Sequence, residues 1–144
     1  MMKKFFIAIV VLMSFGVADI CAQDRKFSPE KFDAALEKYI VEEANLSQQE
    51  ASKILPLLKE MHDRQRVVYS KMRKLNKEKP ATEKECEDAI KQYDKMNIEL
   101  KHIEHGYHKK MMLEVSAIKV YDVIKAENRF HRRMFKGWQR GKRR

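Results

Sequence analysis

From Ile54 to Leu75 the sequence keeps one spacing. Ile54, Leu58, Met61, Gln65, Val68, Met72 and Leu75 follow one another at alternate steps of four and three residues. That alternation is a heptad, and it draws a single, mostly apolar line along a helix. A helix from 47 to 77 would be about 45 Å long at 1.5 Å per residue. This is long for a small monomeric globule, so the line needs an antiparallel neighbour or a partner chain to cover it. The whole chain holds only three prolines and four glycines, too few for a sheet-rich fold with many turns. The expected fold class is all-α: a long antiparallel helical hairpin with shorter flanking helices.

Start and stop signals divide the chain further. Ser28 suits a helix cap and Pro29 the first helical position, with Phe27 and Phe32 placed as a hydrophobic staple. Phe32, Leu36, Tyr39 and Ile40 make one stripe, and the segment ends near Ala44-Asn45. Ser47 and Glu50 form a capping box for helix two, with Leu46 packing beneath the cap. Pro56 lies inside this helix, where it lacks an N–H and crowds the carbonyl of Ser52. An interior proline costs about 3 kcal/mol, so a kink is expected there. Residues 76–81, NKEKPA, read as the turn. Thr82 and Glu85 then cap helix three, with Cys86, Ile90, Tyr93, Met96, Leu100, Ile103, Tyr107 and Met111 as its stripe and Gly106 as a weak point. Helix four is expected from Ser116, burying Val120, Ile124, Phe130 and Met134 and fraying near Gly137 and Gly141.

The first 22 residues, MMKKFFIAIVVLMSFGVADICA, read as a secretory signal peptide: Lys3 and Lys4, a short apolar run, then small Ala22. A lipoprotein reading of Cys21 is disfavoured by Asp19-Ile20 before it. The expected organisation is a leader over 1–22, a helical domain over 23–136 and a basic tail over 137–144. Cleavage leaves Cys86 as the one cysteine, buried, free or paired with a second chain. Its place on an apolar stripe favours burial. Charge is uneven: residues 129–144, RFHRRMFKGWQRGKRR, carry eight basic side chains and no acidic one, whereas 23–128 is close to neutral.

At 46–50, LSQQE resembles the L-T-x-x-Q motif of the periplasmic Spy/CpxP-like proteins, with Ser47 for Thr and Glu50 for Gln. The stretch KYIVEEANLSQQEASKILPLL and the closing KVYDVIKAENRFHRRMF are similar to a Bacteroidetes branch of small exported helical proteins. A second copy of the motif would be VSAIK at 115–119, which keeps Ser116 and little else. The resemblance implies a periplasmic all-helical hairpin, a curved homodimer, and either an ATP-independent chaperone or an envelope-stress or metal-responsive regulator. The branch includes proteins named as sensors linked to extracytoplasmic-function sigma factors. The implied partners are unfolded protein clients, held on a concave apolar face with a basic rim, or a membrane regulatory protein.

Three residue groups invite chemistry. His102, His105 and His108 stand three apart, a spacing at which helical neighbours share zinc or another transition metal. Relative to Leu100 they fall at about 200°, about 140° and about 80° round the helix, so pairs bind weakly and a solvated face is the simpler reading. Met61, Met72, Met96, Met111, Met112 and Met134 offer core filler or an adaptable client surface. In the basic end, Arg129, Phe130, Arg132, Arg133, Phe135, Lys136 and Trp138 interleave cations with aromatics. Export sets nucleic acid aside there, leaving an anionic membrane surface or an acidic client. No glycine-rich phosphate loop and no H-E-x-x-H motif occurs, and no enzyme is expected.

Overall fold

The computed structural model describes residues 28–143. The leader expected at 1–22, with Cys21 and Ala22, lies outside these residues, as do Phe27 of the staple and Arg144. Of the described residues 87% are helical, in four α-helices with no strand among them, so the fold is all-α. The helices are α1 (Pro29–Glu43), α2 (Gln48–Leu75), α3 (Glu83–Glu114) and α4 (Ala117–Lys142). The chain divides into two units with the boundary between Ala35 and Leu36. In the first, Ser28 caps α1 by accepting from the Lys31 amide at 3.4 Å. The packing below concerns the second.

The joint between α1 and α2 is built from three consecutive residues. Asn45 has φ 48°, the left-handed conformation that ends many helices. Its amide bonds the Glu42 carbonyl at 3.3 Å, and the Leu46 amide bonds the Val41 carbonyl at 3.0 Å. This Schellman pattern satisfies carbonyls that the end of α1 would otherwise leave open. It also turns Leu46 inward, to 7% exposure. Ser47 then opens α2, its hydroxyl accepting from the Glu50 amide at 3.1 Å while Glu50 accepts from the Ser47 amide at 2.9 Å. From α4, Lys119 Nζ donates to the carbonyls of Ala44 at 3.3 Å and Asn45 at 2.7 Å.

α2 runs without a break through Pro56. The heptad line faces inward as expected: Ile54, Leu58, Met61 and Val68 are buried, and Gln65, Met72 and Leu75 are half-buried. α3, capped by the reciprocal Thr82–Glu85 box, returns along α2 and also touches α4. Leu100, Tyr107 and Met111 are its buried positions, and Cys86, Tyr93, Met96 and Ile103 are half-buried. Ile90 departs from the expected stripe and is 61% exposed. Ten residues before Leu100, it points about 80° away from the seam, beyond what one neighbouring helix covers.

Ser116 caps α4 by accepting from the Lys119 amide at 3.3 Å. Val120, Val123, Ala126 and Phe130 are buried, and Ile124 is half-buried. Met134, expected inside, is exposed, because the core ends one turn earlier at Phe130. The helix itself continues through Gly137 and Gly141 to Lys142.

Two measurements test these local devices. Asn45→Gly relieves the left-handed strain and raises unfolding free energy by up to about 1 kcal/mol, whereas Asn45→Val lowers it by about 1–2 kcal/mol. Urea titration of both variants reads this, and equal stabilities would refute the assigned backbone role. The second concerns Glu85, whose carboxylate is held below the ordinary glutamate range by the Ala81 amide first and the Thr82 amide second. A lowered folded-state pKa stabilises fully above the ordinary value and loses its effect as pH falls through the lowered one. The melting-temperature advantage of the native chain over Glu85→Gln is therefore full at neutral pH and vanishes in acid.

Candidate functional site

Every described residue beyond Phe130 is exposed, so the end of α4 is the part of the chain least used by the fold. The basic-aromatic segment read from the sequence divides at this point. Phe130 is buried, its ring 5.4 Å from that of Tyr39. Arg129 pairs with Glu43 at 3.3 Å, and the Arg133 guanidinium lies 5.2 Å over the Tyr39 ring. These three hold α4 to α1. Arg132, Phe135, Lys136 and Trp138 stand in solvent. Lys142 Nζ lies 3.9 Å over the Trp138 ring, and the Phe135 ring is 6.4 Å from it. Lys136, Gln139, Arg140 and Arg143 line a shallow cleft of about 180 Å³.

A second exposed group surrounds the turn between α3 and α4. Met112, Leu113, Ile118 and Tyr121 fall within ten residues, and Leu113 and Ile118 are 86% and 74% exposed. Single exposed apolar side chains are ordinary, and it is the gathering of several large ones at one turn that marks an interaction surface. The methionines split accordingly: Met61 and Met111 are fully buried, Met72 and Met96 half-buried, and Met112 and Met134 exposed. On the α2–α3 hairpin, Lys71, Lys74, Leu75, Gln92, Lys95, Met96 and Glu99 line a broader cleft of about 490 Å³.

The other sequence-derived candidates take structural positions. Leu46, Ser47 and Glu50 form the joint already described, and Pro56 is exposed on α2. His102 and His105 are exposed and His108 is half-buried. Among the described residues no three His, Cys, Asp or Glu side chains gather closely enough to hold a metal ion.

One polar pair escaped the sequence reading. His62 Nε2 lies 2.6 Å from Glu127 Oε1, joining α2 to α4, with the two side chains only 15% and 14% exposed. Nothing in the spacing of residues 65 apart announces this pair. Tyr107, a member of the expected α3 stripe, is 2% exposed, with its hydroxyl buried. Lys110 Nζ and the Arg64 guanidinium lie 4.5 Å and 5.7 Å from its ring centre. Burial, followed by the nearby Glu60, pushes the phenol up, which keeps it neutral and makes it a poor nucleophile or base.

The His62–Glu127 contact has a measurable consequence. Replacing His62 with Ala leaves a carboxylate largely buried without its donor, and such a loss costs about 1–3 kcal/mol. A double-mutant cycle with Glu127→Gln should return a coupling above about 0.5 kcal/mol; additive losses would show that the pair merely coexists. No protein-family model matches the sequence, and no curated protein or solved structure matches it either.

Proposed function

We propose that this chain is a chaperone-like holding protein of the periplasm that binds unfolded or stress-exposed clients without ATP. The observation that carries the reading is the group of large apolar side chains left in water at 112–121: Met112, Leu113, Ile118 and Tyr121. Unfolded segments present apolar side chains of many shapes. Burying each square ångström of such surface contributes about 25 cal/mol, enough for reversible capture when several side chains meet. Met112, unbranched and flexible, adapts to different partners better than branched or rigid side chains do. Lysines flank them in the sequence, Lys109, Lys110 and Lys125, and their charge keeps such a surface soluble and favours acidic stretches of a client.

The resemblance of LSQQE to the Spy/CpxP-like motif points the same way, as does the leader-like start of the chain. The residues at the centre of the motif act in this chain as a helix joint, so client contact is assigned to the apolar turn between α3 and α4.

The test adds the protein at near-equimolar ratio to an unrelated denatured protein, without ATP, and follows light scattering. Suppressed aggregation is expected, and the double variant Leu113→Ser, Ile118→Ser should lose most of it. Both sites are exposed, so folding stability should change by less than about 0.5 kcal/mol. Absence of suppression by the native chain would refute the proposal, and full suppression by the variant would refute the assigned surface.

A further inference from the structure

We propose that the end of α4, from His131 to Arg143, is a membrane-surface element that lies flat on an anionic bilayer. The inference starts from what this segment lacks. No residue in it is buried, although Met134, Phe135 and Trp138 are large and apolar and stand 45%, 58% and 58% exposed. Gly137 and Gly141 have open space where a side chain would begin. The segment is nevertheless helical to Lys142, over about 18 Å at 1.5 Å per residue.

A helical wheel sorts the side chains into two sectors. With Phe130 as origin and about 100° per residue, Gly137, Gly141, Met134, Trp138 and Phe135 run from about −20° to about 140°. Arg132, Arg143, Lys136 and Arg140 occupy the remaining side, from about 200° to about 280°, beside Arg133 at about 300°, which rests on Tyr39, with Gln139 at the border and His131 and Lys142 at about 100° and about 120° within the aromatic sector. No carboxylate interrupts either sector from 128 onward. A basic arc opposed to an aromatic one that itself carries Lys142 is the pattern of a helix that rests at the headgroup boundary. Its charge density makes the segment a poor bilayer span, and among the described residues no helix is long and apolar enough to cross a membrane.

The details suit phosphate headgroups. Lys136, Gln139, Arg140 and Arg143 share one cleft of about 180 Å³ on the basic side, where guanidinium donors can bond phosphate oxygens bidentately. Trp138 carries Lys142 over its ring at 3.9 Å, so an apolar body and a cation sit together within the aromatic sector. Tryptophan and long basic side chains favour this depth because each has an apolar body and a polar tip. Aggregation suppression by residues 112–121 and surface binding by residues 131–143 use different side chains, so each can fail without the other.

Trp138 is the only tryptophan in the chain, and its fluorescence therefore reports this segment alone. Full-length protein is mixed with vesicles of phosphatidylglycerol and phosphatidylcholine, with vesicles of phosphatidylcholine only, with polyglutamate and with inorganic phosphate. The expected result is a blue shift with the phosphatidylglycerol vesicles alone, weakening as salt rises. The triple variant Lys136→Gln, Arg140→Gln, Arg143→Gln should weaken binding by roughly a hundredfold, since each cation near such a surface contributes roughly fivefold. Met134→Ser with Phe135→Ser should weaken it about tenfold or more. Far-UV circular dichroism of each variant checks that the helices persist. An equal shift on neutral vesicles, a shift with phosphate alone, or unchanged binding by the triple variant would overturn the proposal. A shift with polyglutamate and none with vesicles would overturn it too, and would make the segment a site for acidic protein.

Discussion

The ammonium group of Lys119, resting on the carbonyls of Ala44 and Asn45, is the contact on which the arrangement of helices turns. It is a favourable charge at a helix C-terminus, where the backbone dipoles leave partial negative charge. It also lies one turn into α4, so the start of the last helix is fixed to the end of the first. Because Asn45 reverses the chain in a single left-handed residue, Leu46 enters the core and Ser47 is placed to open α2 at once. Three helices thus meet at one small joint. From it, Ile40, Ile54 and Val120 are all directed inward, each 2% exposed or less.

Much of this architecture was legible in the residues. Capping boxes are local chemistry, and the pairs Ser47–Glu50 and Thr82–Glu85 mark their helix starts without reference to the rest of the fold. The heptad line of α2 was equally plain, because a 4-3 spacing has one meaning. What failed to show was the width of the covered stripe. Ile90 shares its mean spacing with Leu100 yet faces water, since a single neighbouring helix shields a narrower sector than a bundle does. Met134 failed for the opposite reason: its helix continues and its neighbours do not. Val123 and Ala126 were missed because small or isolated apolar residues carry weak periodic signal, and His62–Glu127 because pairing between distant helices depends on their placement.

The basic end shows how composition and geometry divide a motif. By sequence, Arg129 through Trp138 formed one alternating run of cations and rings. In the fold, Arg129, Phe130 and Arg133 are spent on Tyr39 and Glu43, and the later members remain in solvent. A boundary that no residue type marks therefore separates an anchoring turn from a free one. Much the same holds for LSQQE, whose residues carry a family resemblance and in this chain serve a backbone reversal.

Between Val68 and Leu100 no side chain of the α2–α3 hairpin is buried. That stretch is held by half-buried seam residues, by the Thr82 cap and by its own helical hydrogen bonds. Local opening free energy follows buried contact, and it is lowest where such contact is sparse. The hairpin end should accordingly open and reclose many times for each global unfolding, exchanging its amide hydrogens early, while the helices near the Asn45 joint stay closed. The chain thereby behaves as two layers of stability within one set of helices, and Cys86, set in the looser layer, meets solvent far more often than its half-buried place suggests.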